Sequence, residues 1–467
     1  MHGRYWIGVF ILIASTAWIC YSPALSVPLL NYDDIVIVYR ALHASMKDLF
    51  LGRIDWDLPE EIGRSFRPLP ILSYRFDRLF LMSDLGPAYR GISLLWASFL
   101  GTLCFSMIVH FGICKTVLEY SAAVFMGLMT TISRVMCDVA VCPTERSNIL
   151  LAIYFVWMAF LLIHGGLQPD NEGKSVRIYL LSLFIAIFGA CVCKENGIFL
   201  SVLLVSGSLF LIYFGKYRRT LSFYGQVIGT TLGALVLFLV YKYVALGWDQ
   251  LFPVQRQALF HLTPKTYIVE VLLKIFSSAT PTLWFIKTAR ISDTFVTFFL
   301  YLVLRQTFWG DRKTRLVLRI WLIGFLANAL FPLPYASRHL VPSYCFWMIA
   351  AGISIVRYLQ GVDMRWVRQF VLGGVAFLMF LQAIVAYNNS LQIKSYNLYN
   401  LYIDLPFKKD VYNAVLLEQR HRYRPLFVRE YKTFVLTESP AEQFVHKVGG
   451  WGVWKSVESL KDIDTKL

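Results

Sequence analysis

Three observations predict an all-α, polytopic membrane bundle. Hydrophobic residues make up 57% of the chain and charged residues only 16%, so 467 residues could not clothe a soluble fold in polar surface. Apolar runs near the roughly 20 residues needed to cross the hydrocarbon core recur along the chain. Lys and Arg gather in the short connections between alternate runs, which is the positive-inside pattern of cytoplasmic loops. Laid end to end, the runs predict about 11 spans.

The first run, Trp6 to Ser26, follows Arg4 and is long, with bulky Trp6, Phe10 and Trp18. It reads as an uncleaved anchor rather than a signal peptide, with the N-terminus cytoplasmic. Residues 27–87 then form a long outer loop. Two weakly amphipathic stretches in it, Asp34 to Leu51 and Ile71 to Leu81, suit helices lying in the interface.

Further spans are expected at Tyr89–Phe111, Val117–Ile132, Ile149–Ile163, Val176–Cys193, Gly197–Phe214 and Leu221–Leu246, with a polar connection at Ser133–Asn148. The segment Trp248–Arg290 is apolar from Tyr267 to Ile286 but broken by Lys274, Ser277, Ser278 and Pro281. It reads as re-entrant or interfacial, because a full crossing would carry Arg312, Lys313, Arg315 and Arg319 to the outer side. Spans at Ile291–Leu304, Leu316–Leu333, Leu340–Val356 and Phe370–Tyr387 complete a membrane domain over residues 1–387. Residues 388–467 are far more polar and read as a small outer-side tail or domain.

The net charge of +16 is an orientation signal and predicts no nucleic-acid partner. The eight cysteines are scattered without paired CxxC spacing, so no metal cluster is expected. No cofactor is called, although Asp33, Asp34 and Glu145 could in principle ligate a divalent ion.

The predicted topology places a set of ionisable residues on the outer face. They are Asp33 and Asp34 after the first span, Arg67 in the long loop, Arg134, Glu145 and Arg146 between spans three and four, Lys194 and Glu195 between five and six, and Arg338 and His339 between nine and ten. Ionisable groups facing one another at helix ends mark a pathway or a site. The cations suit a phosphate, Arg as a fork and Lys as a point charge. A nearby carboxylate suits removal of a proton from an attacking hydroxyl as a sugar leaves its phosphate. Taken singly, each has a bland reading: Asp33-Asp34 ends a span, Arg67-Pro68 makes a turn, Lys194-Glu195 is a solvated helix end and Glu145-Arg146 is an internal salt bridge. A flippase for an anionic lipid would also collect cations at one leaflet, but should carry polar positions through the bilayer. A non-catalytic membrane scaffold would tolerate replacement of Asp34.

The ordered set Tyr32-Asp33-Asp34, Phe66-Arg67-Pro68-Leu69 with Ser73, Cys142-Pro143-Thr144-Glu145-Arg146, Cys193-Lys194-Glu195-Asn196-Gly197 and Ser337-Arg338-His339-Leu340-Val341-Pro342-Ser343 resembles the C-type glycosyltransferase superfamily. Within it the sequence is most similar to the transmembrane mannosyltransferases with tetratricopeptide repeats, and more loosely to protein O-mannosyltransferases. The resemblance implies a lipid-linked donor, a sugar on a polyprenyl or dolichyl phosphate, and a hydroxyl acceptor on a protein, glycan or lipid. The active site would face outward from a bacterial inner membrane or into the lumen of the endoplasmic reticulum. It further implies Asp34, or its neighbour Asp33, as the base that activates the acceptor, and Arg338, Lys194, Arg67 and His339 as donor-phosphate ligands. Glu145, Arg146 and Glu195 would position the substrates. The repeats of the nearest relatives are absent, Cys142 stands where a His is usual, and Ser337 replaces the acid that often precedes the late Arg.

Overall fold

The computed structural model describes residues 3–26, 41, 44–51, 67–80, 88–167, 174–215, 220–247, 264–279, 290–331 and 337–399. Every regular element among the described residues is helical. In chain order they are α1 (Gly3–Leu25), α2 (Met46–Phe50), α3 (Pro68–Phe80), α4 (Ala88–Gly112), α5 (Val117–Thr131), α6 (Arg134–Val141) and α7 (Arg146–Leu167). These are followed by α8 (Lys174–Cys193), α9 (Gly197–Phe214), α10 (Leu221–Leu246), α11 (Pro264–Ala279), α12 (Arg290–Trp309), α13 (Arg312–Leu330), α14 (Val341–Gly361) and α15 (Arg365–Tyr399). Short 3-10 turns precede α7 at Pro143–Glu145 and α14 at Ser337–Leu340.

Several boundaries follow from local chemistry. Side-chain oxygens of Thr116, Ser133, Thr220 and Asp311 accept from backbone N–H groups in the first turns of α5, α6, α10 and α13, satisfying donors that a helix start leaves orphaned. At α5 the cap is reciprocal, with Glu119 reaching back to the Thr116 backbone. α10 ends at Gly247, whose φ of 83° lies in the left-handed region that glycine enters without penalty.

Among the described residues seven helices are long and apolar enough to cross a membrane, and counting the pair α5–α6, bent by 59°, as one broken span makes eight. The eleven expected spans exceed that number by α12, α13 and α14, which are long enough but richer in polar residues. α14 explains why such a helix can be internal: it is buried from Val341 through Val356 and packs against α4, α5, α7, α12 and α13. A helix enclosed by protein does not need a lipid-facing apolar stripe all round.

The expected third span, Val117–Ile132, is α5. The expected polar connection after it is in part helical, as α6. The interfacial helix expected at Ile71–Leu81 is α3, and that expected at Asp34–Leu51 is described only around α2. The interrupted segment Trp248–Arg290 contributes α11. The last helix, expected to end near Tyr387, runs on to Tyr399, and the rest of the predicted tail lies outside the described residues.

Small residues set the closest approach in the bundle. A Cβ on Gly101 of α4 would lie 2.7 Å from the Gly127 carbonyl oxygen of α5 and 2.1 Å from Thr131 Oγ1. The hydroxyl could rotate away, but the backbone oxygen could not. Gly101→Ala should therefore force α4 and α5 apart and cost about 1–3 kcal/mol, the usual range for overpacking. Gly233→Ala, whose Cβ would meet only Phe184 at 3.9 Å, should leave thermal unfolding in detergent unchanged or slightly raised.

Candidate functional site

Hydrogen bonds join the ends of α1, α5, α8, α10 and α13 to one another and to the starts of α4, α7, α9 and α14, which gathers them at one end of the bundle. Tyr21 Oη donates to the carbonyls of Thr131 and Ser133 at 2.9 and 3.3 Å, and Tyr344 Oη donates to Met129 O at 2.9 Å. The opposite end is joined separately, with Gln360 donating to the carbonyls of Gly112 and Ile113.

Three of the predicted motifs meet at the first end. Asn148, in the first turn of α7, donates from Nδ2 to Glu145 Oε2 at 2.6 Å. Its Oδ1 accepts from Lys194 Nζ, also at 2.6 Å. Lys194 Nζ lies 3.2 Å from His339 Nδ1. Glu145, Lys194 and His339, drawn from three separate stretches of sequence, thus form one polar chain through Asn148. Both Asn148 and Lys194 are buried, so the ammonium is held by protein groups rather than by bulk water.

The turn carrying His339 is fixed from below. Asn328 of α13 donates to His339 O at 2.8 Å and to Ser343 Oγ at 2.9 Å, and Ser343 Oγ donates to Phe325 O. Arg338 lies in the same 3-10 turn, one residue from His339.

Glu195, beside Lys194, faces elsewhere. Its Oε1 accepts from Lys242 Nζ of α10 at 2.8 Å, with both side chains nearly buried. The carboxylate is therefore tied to α10, while Lys194 points to α7 and the 339 turn. The Cβ of an alanine at Gly197 would sit 2.3 Å from Ala190 O, so this tight turn requires glycine.

Arg146 is wholly buried and its guanidinium is engaged by α3 and α4. Nη1 lies 2.6 Å from Asp77 Oδ2 and donates to Ser73 Oγ at 2.9 Å, while Nε and Nη2 donate to Ser93 Oγ. Its Cζ sits 4.8 Å from the Tyr74 ring centroid, within cation–π range, and Tyr74 Oη donates to Pro143 O. Burial pushes the Asp77 carboxyl above the ordinary carboxylate range, with the charge and hydrogen bond of Arg146 opposing. The internal salt bridge considered for Glu145-Arg146 is absent: Arg146 pairs with Asp77 and Glu145 with Asn148. The geometry clamps the helix after Arg67-Pro68 onto the start of α7.

Arg67 is half-buried immediately before α3, and its carbonyl accepts from Ile71 N. Asp33 and Asp34 lie outside the described residues. Among the described residues no three His, Cys, Asp or Glu side chains gather as metal ligands.

Sequence reasoning missed Asn148, Asp77 and Lys242. Lys242 was the most accessible of them, as a charge inside an apolar span is a functional or paired residue by default. Asn148 stands three residues after Glu145 on the same helical face, and Asp77 lies within the amphipathic stretch after Arg67-Pro68.

The fold and this constellation define a polytopic helical membrane protein with a polar site at one end of its bundle. Neither protein-family signatures nor curated protein sequences match the chain. Its structure is similar to ArnT from Cupriavidus metallidurans bound to undecaprenyl phosphate, with a TM-score of 0.54 at 13% identity, covering 85% of this chain and 78% of that one.

The Arg146–Asp77 pair gives a direct test. Asp77→Leu leaves a buried guanidinium without its carboxylate and should cost about 3–5 kcal/mol, whereas the double variant Asp77→Leu/Arg146→Met should recover most of that loss. Denaturation in detergent, read by intrinsic fluorescence, measures both.

Proposed function

We propose that this protein is a membrane glycosyltransferase that moves a sugar, of which mannose is the first candidate, from a polyprenyl- or dolichyl-phosphate donor to a hydroxyl on a protein, glycan or lipid. The observation that carries the reading is the convergence of Glu145, Lys194 and His339 through Asn148 at one end of a membrane bundle. The fold supports it, since the similar ArnT structure holds undecaprenyl phosphate.

In this reading Lys194, Arg338, Arg67 and His339 bind the donor phosphate. Lys194 suits that role because its buried ammonium is held toward α7 and the 339 turn by Asn148 and His339. Asp34, with Asp33 beside it, takes the proton of the acceptor hydroxyl. The acceptor oxygen then bonds to the anomeric carbon, the bond from that carbon to the phosphate oxygen breaks, and the electron pair leaves on the phosphate. Cations facing that oxygen stabilise the charge as it develops. Glu145 orients Asn148, and through it Lys194. Glu195 and Arg146 act on the site by holding its framework, through Lys242 and Asp77. The site faces the outer or lumenal side.

The test is transfer by purified protein in detergent from a panel of radiolabelled polyprenyl-phosphate sugars. Asp34→Asn should lower turnover by roughly 100-fold or more, the scale of a lost general base. Lys194→Met should weaken donor use by a comparable factor, and both variants should elute as the wild type does on gel filtration. Full transfer by either variant would remove that residue from the mechanism. Passage of an intact lipid-linked sugar across sealed vesicles, without sugar transfer, would replace the enzyme by a flippase.

A further inference from the structure

The segment that interrupts the regular run of spans carries a second polar set, separate from the Lys194 chain. Lys274 of α11 is 2% exposed, Ser277 is 4% exposed and Ser278 is fully buried. At spacings of three and four they share one face of the helix. The only hydrogen bond of Lys274 Nζ among the described residues goes to the Phe331 carbonyl, at 2.7 Å, which leaves donor capacity on an ammonium that has three protons. Among the described residues the hydroxyl oxygens of Ser277 and Ser278 are buried without a hydrogen-bond partner. Glu270, one turn earlier, supplies a carboxylate field that partly opposes the lowering of the Lys274 pKa by burial.

A buried ammonium and two idle hydroxyls on one helix face are costly unless something completes them. What they lack in common is an acceptor bearing negative charge and more than one oxygen. The position favours a membrane ligand. Phe331, which holds Lys274, caps α13 just before the 339 turn, and its ring packs 5.1 Å from Phe199, in the first turn of α9 after Lys194-Glu195. Ala279, the residue after Ser278, lines an apolar cavity of about 40 Å³ that also has Met126, Met129, Trp347, Met348 and Gln382 in its wall. Among the described residues, Gln382 is buried with Oε1 lacking a hydrogen-bond partner.

We propose that Lys274, Ser277 and Ser278 form a phosphate subsite that takes the headgroup of a lipid monophosphate. The choice of a polyprenyl monophosphate as the first ligand rests on the transfer reading, whereas the polar set does not depend on it. Lys274 would supply the charge and the two serines would donate to phosphate oxygens. No covalent step is involved.

The experiment measures binding of undecaprenyl phosphate to the full-length protein in detergent, by tryptophan fluorescence or calorimetry. It compares wild type with Lys274→Met, Lys274→Arg and the Ser277→Ala/Ser278→Ala double variant. Loss of a hydrogen-bonded charge should weaken binding roughly tenfold or more in Lys274→Met. The double variant should weaken it by about a few fold, at the lower net value of neutral-donor hydrogen bonds, and Lys274→Arg should retain most of the affinity. If Lys274→Met does not fold, the serine variant, which keeps the Lys274–Phe331 contact, decides the outcome alone.

Phosphatidic acid and inorganic phosphate serve as competitors. Displacement by phosphatidic acid with the same dependence on Lys274 would identify a general lipid headgroup as the source and support the subsite. Equal displacement by inorganic phosphate alone would overturn the assignment to lipid. Equal binding of undecaprenyl phosphate by all four proteins would overturn the subsite. Sugar transfer by wild type, measured in parallel, would then leave the transfer reading standing. Absence of both binding and transfer would remove both.

Discussion

A charge at the end of an apolar bundle must find its partner inside the protein, and that constraint organises this structure. The buried cations of the site end are met by groups from distant parts of the chain. Arg146 is held by Asp77 and two serines, Lys242 by Glu195, Lys194 by Asn148 and His339, and Lys274 by a backbone carbonyl. Desolvation makes an unpaired charge far more costly than a paired one, so each contact restricts which helix ends can lie together. Arg146 fixes α3 over α4 and α7, Lys242 fixes α10 beside the 195 turn, and Lys194 joins that turn to α7 and α14.

The same end is where helices bend or stop, and broken helices expose carbonyls that lipid cannot satisfy. Side chains from elsewhere take them up: Tyr21 at Thr131 and Ser133, Arg90 at Val141, Tyr74 at Pro143 and Asn328 at His339. The bend between α5 and α6 and the two 3-10 turns are thus maintained by polar residues reaching in from neighbouring helices. Irregular backbone at this depth is tolerated because protein surrounds it, and it places Glu145 and His339 where regular helices would not.

Much of this was legible in sequence because it depends on local composition. The spans Val176–Cys193, Gly197–Phe214 and Leu221–Leu246 match the helices found, since an apolar run bounded by Lys-Glu-Asn, Lys-Tyr-Arg-Arg or Gly has few other solutions in a membrane. The motif residues Glu145, Lys194 and His339 could be chosen as ionisable groups in short connections. Their pairing could not. Glu145 and Arg146 are adjacent, yet successive helical positions point about 100° apart, so one turns to Asn148 and the other to Asp77. Which neighbour receives each depends on helix packing, and that rests on contacts such as Gly101 against Gly127, which no charge pattern reports.

The division of labour between the adjacent residues Lys194 and Glu195 follows from the same geometry. Had Glu195 paired with Lys194, the ammonium would be neutralised and of little use to a phosphate. Lys242 removes that possibility by drawing the carboxylate to α10. Asn148 and His339 instead hold the Lys194 ammonium toward α7 and the 339 turn. Buried Lys242 therefore shapes the electrostatics of the site although it is bonded to neither Lys194 nor His339.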